Sequence, residues 1–279
     1  MMRRRSTSLK VLALTGFAFL YLPILTMVVL SFNESRLVTV WSGFSPKWYG
    51  ELLHDDQILG AAMISLKIAF ISASLAVVLG TLAGFALSRF PKFRGKVALT
   101  GMVSAPLVMP EVITGLALLL LFVAMESLLG WPKGRGVVTL IISHVTFCMA
   151  YVAVVVQSRL ADMDGVIEEA ALDLGARPWR VFVDITLPMI APALVSGWLL
   201  SFTVSFDDLV ISAFVSGPGY STLPMVIFSK VRLGVSPEVN ALATMMIVVV
   251  GIGVVLFTWN AARLHRMRQR EERAAAAGL

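Results

Sequence analysis

SRLADMDGVIEEAALDLGARPWRVFVDITLP, residues 158–188, is the stretch on which the reading of this chain turns. Val166, Ala170 and Leu174 fall at i, i+4 and i+8 and make one apolar stripe at helical spacing. Asp164 can cap such a helix, and Glu168 and Glu169 stand early in it, where the positive end of the helix dipole favours carboxylates. Gly175 occupies the position after a helix C-terminus that most often needs a left-handed backbone. Pro178 suits the first turn of a second short helix, and Leu187-Pro188 lead into the next apolar run. The physical object is an amphipathic helix–turn–helix lying across one membrane face.

The runs on either side explain why a membrane is involved. Apolar stretches occur at about 11–32, 62–88, 97–125, 137–157, 189–206 and 239–260. Each is near the roughly 20 residues that a helix needs to cross a bilayer. Of the 279 residues, 58% are hydrophobic and only 14% charged, with a mean hydropathy of +0.86. A soluble domain carries about 25% charged residues, so a water-soluble globular enzyme is excluded, as is a disordered or fibrous chain. The expectation is an all-α, polytopic membrane protein of six transmembrane helices. The first run follows Arg3, Arg4, Arg5 and Lys10 but is longer than the core of a signal peptide, so it reads as a retained span.

Charge sets the orientation. With the N-terminus inside, sixteen of the 23 Lys and Arg fall on cytoplasmic segments and six on outer loops, with Lys67 inside the second span. That asymmetry predicts both termini in the cytoplasm, the loop 158–188 on the cytoplasmic side and a short basic tail over 261–279. Leu209–Phe228 is nearly long enough to cross, but Ser216-Gly217-Pro218-Gly219 at its centre would leave backbone groups unpaired in lipid. It reads as an outer-face hairpin or a re-entrant piece packed against the bundle. The whole chain then forms a single transmembrane domain, residues 1–279.

Glu169-Ala170-Ala171, then Gly175, Ile185 and Leu187-Pro188, match at each fixed position the EAA loop of ABC-importer permeases. Phe44 to Asp55, Ala105 to Gly115, Phe206-Asp207-Asp208-Leu209-Val210 with Phe214 to Pro218, and Ser236 to Thr244 resemble permease subunits of polyamine importers, putrescine importers among them. The similarity covers nearly the whole chain. It implies the type I permease architecture in a bacterial cytoplasmic (inner) membrane, with those seven EAA-loop residues forming a coupling helix that seats on an ATPase. It further implies a second related permease, two ATPase subunits and a periplasmic substrate-binding protein, with ATP and Mg held by the ATPase and no cofactor on this chain. Relatives for other small cationic or amino-acid-like solutes exist in the same branch.

The chain itself carries no G-x-x-x-x-G-K-[ST] phosphate loop; its only Gly-Lys, Gly95-Lys96, is followed by Val97. No catalytic constellation is visible, and His54, His144 and His265 are too far apart for a metal-ligand spacing. The net charge of +6 is explained by basic inner loops rather than by nucleic acid. Cys148 stands in an apolar run and reads as packing. Ionisable groups inside spans cost about 2.5–3.5 kcal/mol at the helix centre and call for a reason. Glu111 follows Pro110, at the restart of a span that Pro106 and Pro110 break; it reads either as a partner of the helix dipole or as a carboxylate on a polycation's path. Asp207 and Asp208 close the fifth span and read as solvated interface residues or as negative charge near the outer mouth. His144 predicts an interhelical hydrogen bond, Lys67 snorkels to the outer interface, and Trp41, Trp48, Trp131, Tyr220 and Trp259 read as interfacial anchors. A stand-alone ion-coupled transporter, the rival class, predicts a second copy of the broken span and no EAA-type loop.

Overall fold

A computed structural model describes residues 7–36, 40–90, 92–234 and 236–253, with 255, 259 and 263. Arg3 to Arg5, most of the last expected span beyond 253, and the basic tail from 264 onward lie outside the described residues. The described residues are mostly helical, with no strand and one isolated antiparallel bridge, Asn33 to Phe44. The helices are α1 (Thr7–Leu30), α2 (Lys47–Leu52), α3 (Asp56–Arg89), α4 (Lys96–Val108), α5 (Glu111–Leu129) and α6 (Val137–Ala161). They continue with α7 (Val166–Asp173), α8 (Pro178–Val181), α9 (Leu187–Asp207), α10 (Val210–Val215), α11 (Leu223–Leu233) and α12 (Pro237–Gly253). Five stretches are long and apolar enough to cross a membrane: Leu9–Leu30, Asp56–Arg89, Glu111–Leu129, Val137–Ala161 and Pro178–Asp207. The chain is a multi-pass membrane protein.

Two compact units divide the chain, Met1–Asp55 with Ser229–Leu279, and Asp56–Phe228. In the first, Asn33 is fully buried and organises the segment after α1. Its Nδ2 donates to the Val40 carbonyl (2.8 Å), its Oδ1 accepts from Ser42 N (3.1 Å), and its own carbonyl accepts from Trp48 Nε1 (2.7 Å). Trp48 is therefore a core residue, 3% exposed, and not the interfacial anchor its position suggested. Trp41, Trp131, Tyr220 and Trp259 are exposed. Lys230 donates to Asp55 (2.9 Å) and Glu238 (2.7 Å), tying α11 to the start of α12. Burial works against its ammonium charge, but hydrogen bonds and attraction from the two carboxylates outweigh it and raise the pKa above the ordinary lysine value.

The second unit is built on α3, α6 and α9. Along α3 the buried positions Ala69, Ala73, Ala76, Gly80 and Gly84 are all small, which lets α6 approach with its backbone. A Cβ on Gly80 would meet the Val152 side chain at 2.6 Å and the Met149 carbonyl at 2.8 Å; one on Gly84 would meet the Ala153 carbonyl at 2.9 Å. Helix α9 runs antiparallel to α6, as the order of contacts requires: Gly197 against Val152, Ser201 carbonyl with Cys148, Ser205 with His144. Helix α10 then carries on in the same direction, with Ser212 at His144 and the Val215 carbonyl at Thr139. The stretch expected as an outer-face hairpin or a re-entrant piece packed against the bundle thus begins as a continuation of the fifth span beyond a break at 208–209. The third run is also broken as expected, since Pro110 lacks the N–H to continue α4 into α5.

Replacing Gly80 by Leu should therefore force apart helices that touch through backbone, destabilising the fold by about 1–3 kcal/mol. Gly60→Ala, where a Cβ meets nothing within 4 Å, should be neutral. Thermal unfolding of the purified variants in detergent, followed by intrinsic fluorescence, separates the two; equal melting temperatures would contradict the close packing.

Candidate functional site

Helix α7 ends as its sequence demands. Gly175 adopts φ +86° and its N–H donates to the Leu172 carbonyl (2.9 Å), while Ala176 N donates to Ala171 O (3.0 Å). This pair of bonds satisfies the last carbonyls of the helix and turns the chain sharply. Pro178 then opens α8. Because Pro188 has no N–H to offer, the hydrogen-bond register loosens ahead of it: Phe182–Thr186 is a π-helical turn, and Leu187 N–H reaches back five residues to Phe182 O. Loop and span are thus one continuous helical rod from Pro178 to Asp207.

The apolar stripe of α7 faces away from the protein. Val166 is 59% exposed and Leu174 89%, with Ile167, Leu172 and Trp179 also exposed, and Glu169 and Ala170 stand among them. Ala171, Ile185 and Leu187 are half-buried, and Pro188 is exposed. The neighbouring Glu168 points the other way. Its carboxylate pairs with Arg89 at the end of α3 (2.8 Å) and accepts from the Thr186 hydroxyl (2.8 Å) in the π-helical turn. Arg89 also donates to the Leu160 carbonyl near the end of α6 (3.2 Å). One carboxylate therefore ties the loop to three helices. Its place in the first turn of α7 was legible, but its partners lie 79 and 18 residues away, and only the opposite charge at the end of an apolar run hinted at Arg89. A cleft of about 840 Å³, lined by Phe85, Arg89, Glu168, Leu172, Trp179 and Phe182, opens beside this knot.

At the other end of the unit the three acidic residues singled out from sequence separate into two kinds. Glu111, at the first position of α5, and Asp207, at the last of α9, are exposed. Both act electrostatically on the same turn of α6, Glu111 on Tyr151 and Asp207 on Cys148. Asp208 is turned inward, its side chain 6% exposed. It accepts from Ile211 N (3.2 Å) and Ser212 N (2.7 Å), which makes it the capping side chain of α10, and lies 3.4 Å from His144 Nε2. His144 makes the interhelical bonds that its position predicted, with Ser205 (2.6 Å) and Ser212 (3.1 Å).

Residues 76–269 match the family described as "Binding-protein-dependent transport system inner membrane component". The putrescine transport system permease protein PotI of Escherichia coli (strain K12) is 56% identical over 268 residues, 96% of this chain and 95% of that one. The spermidine/putrescine transport system permease protein PotC of Haemophilus influenzae is 47% identical, over 83% of this chain and 88% of that one. Among solved structures, a chain of a bacterial ABC transporter involved in the import of the acidic polysaccharide alginate superposes with a TM-score of 0.71 at 17% identity, covering 92% of this chain and 99% of that one. A chain of the MetNI methionine ABC transporter does so with a TM-score of 0.60 at 17% identity, over 75% and 94% of the two chains.

If Glu168 anchors the loop, Glu168→Gln should free α7 without unfolding the spans. Amide exchange across 166–176, read by mass spectrometry, should then quicken about tenfold, in line with the roughly 1.5–3 kcal/mol of a hydrogen bond to a charged group. Arg89→Ala should do the same. Unchanged exchange in both would mean that the loop is held by something else.

Proposed function

Since the chain belongs to the family of binding-protein-dependent transport system inner membrane components, we propose that it is the permease subunit of an ATP-driven importer carrying putrescine or a related polyamine across the bacterial cytoplasmic membrane. The observation that carries this reading is the 56% identity to a putrescine permease over 96% of the chain. The relatives are transport permeases rather than enzymes, and ATP hydrolysis, with its Mg, is assigned to a separate subunit. The assembly is one of this chain with a second related permease, two ATPase subunits and a periplasmic binding protein. Six spans, the last over about 239–260, and cytoplasmic termini with the basic tail 261–279 complete the proposed topology.

Coupling follows from the loop. The exposed apolar face of α7 and α8, with Glu169 in its midst, is the surface offered to the ATPase. Glu169, Ala170 and Ala171 lie on α7, Gly175 makes the turn, and Ile185, Leu187 and Pro188 join the turn to the span. A push on α7 reaches α9 through Glu168 and Thr186 (2.8 Å). The rod from Pro178 to Asp207 has 30 residues, about 45 Å at 1.5 Å per residue, so a displacement at the cytoplasmic face is delivered at Asp207. Glu111 and Asp207 are the carboxylates that meet the ammonium groups, because a bare cation leaving water needs negative charge close by.

Two outcomes test the reading in the complete transporter reconstituted in vesicles. Gly175→Val puts a β-branched residue at φ +86° and should abolish putrescine-driven ATP turnover and uptake while leaving membrane insertion normal. Uptake at the native rate would remove the loop as the transmission element. Glu111→Gln and Asp207→Asn keep size but lose charge, and each should slow uptake about tenfold, the scale of one charged hydrogen bond. Native rates in both would place the cation path elsewhere.

A further inference from the structure

We propose that His144 and Asp208 are positioning residues for cation transfer: together they brace the break between α9 and α10 and so set the place of Asp207. The proposal rests on the reading of Asp207 as a carboxylate on the substrate path.

The brace is buried where a charge is costly. Arg89 contacts the Leu160 carbonyl at the loop end of α6, and His144 stands 16 residues further along. At 1.5 Å per residue that is about 24 Å from the loop end, and the opposite end of α6 at Val137 lies about 10 Å beyond it. His144 is 2% exposed and the Asp208 side chain 6%. A carboxylate at that depth persists only when its lone pairs are used, and those of Asp208 are. Two backbone N–H groups of α10 and the His144 ring surround it. Asp208 only accepts, so Nε2 of His144 is the ring nitrogen that carries hydrogen toward it. Nδ1 then accepts from the Ser205 hydroxyl of α9, at 2.6 Å. One imidazole thus grips the last turn of α9, the cap of α10 and, through Ser212 at 3.1 Å, α10 itself.

Asp207 adjoins this knot, its carboxylate hydrogen-bonded to its own backbone N–H. It is the final residue of α9, and the backbone turns at Asp208 into an extended conformation (φ −65°, ψ 124°). Helix α10 beyond it packs closely on α5, where a Cβ on Gly115 would sit 2.7 Å from the Phe214 ring. Gly115 lies one turn after Glu111. The segment carrying one exposed carboxylate is therefore locked against the helix carrying the other, and the lock is the pair His144–Asp208.

The test uses the assembled transporter in vesicles, with putrescine KM and maximal rate measured separately. Ile211 N and Ser212 N donate to different oxygens of Asp208, so Asp208→Asn keeps an oxygen for one of them and removes the charge facing His144; His144→Gln removes the ring. Each should raise KM about tenfold with the maximal rate within twofold of native, since a variant that merely folds less well loses active transporter and not affinity. The double variant should be no worse than either single one. In an Asp207→Asn background, adding Asp208→Asn should change KM less than twofold. Multiplying effects in the double variant, or an undiminished effect of Asp208→Asn without the Asp207 charge, would overturn the brace. So would a native KM in both single variants while Asp207→Asn is impaired, and that result would leave the pathway reading standing. A native KM in Asp207→Asn itself would remove the pathway reading instead. Should Asp208→Asn fail to assemble, Ser205→Ala, which strips only the Nδ1 partner, should still raise KM measurably; a native KM there would overturn the proposal as well.

Discussion

Helix association in a bilayer gains nothing from hiding apolar surface, because lipid tails are as apolar as Leu or Val. What remains is contact, and contact is closest where side chains are smallest. The stripe Ala69, Ala73, Ala76, Gly80 and Gly84 on α3 meets the α6 turn from Met149 to Val156 so closely that a single added carbon would reach a backbone carbonyl. Everything else in the Asp56–Phe228 unit takes its place from that pair. Helix α9 packs on both, with Gly197 opposite Val152, and Arg89 reaches the Leu160 carbonyl because α3 and α6 end level with each other.

Polar groups then set the register along these faces. Ser65 accepts from Leu223 N (2.8 Å), Thr139 donates to the Val215 carbonyl (2.7 Å), and Ser74 accepts from Trp198 (3.1 Å). Each bond joins two elements distant in the chain, and each would leave a buried group unpaired if its helix slid by one residue. Packing alone tolerates such slips; a hydrogen bond in hydrocarbon does not. The breaks in the spans obey the same rule, for α5 restarts where proline cannot bond anyway and α10 restarts under the carboxylate of Asp208.

This division explains what could be read from sequence. Apolar helices were legible because a fixed hydrocarbon thickness demands a run of fixed length, and helices stand at the expected runs 62–88, 137–157 and 189–206, while 97–125 divides into α4 and α5. The turn at Gly175, the helix start at Pro178 and the break at Pro110 were legible because glycine and proline act on their own backbone. The break after Asp207 was not, since no proline marks it and the Asp208 carboxylate that caps α10 faces a histidine 64 residues earlier. Glu168 looked like a residue serving the helix dipole, and Asp207 and Asp208 looked alike. Adjacent identical letters say nothing about which faces the bundle. Trp48 was misplaced for the same reason, its indole N–H being claimed by the Asn33 carbonyl across 15 residues.

The proposed transport cycle needs parts that move and parts that do not, and the two kinds of contact supply them. The α3–α6 pair is bound through backbone-close packing along Ala69, Ala73, Ala76, Gly80 and Gly84. The rod from Pro178 to Asp207 packs on it through Ile190, Gly197, Ser201 and Ser205, and is pinned besides by the Glu168 knot at one end and the His144 knot at the other. The π-helical turn at Phe182–Thr186 supplies a looser ladder just where bending of the rod would start. A force applied to α7 is thus expected to tilt α9 against a fixed α3–α6 frame. The lever arm ends at the exposed carboxylate of Asp207, so in the proposed cycle a motion imposed at α7 would change the electrostatics at that carboxylate.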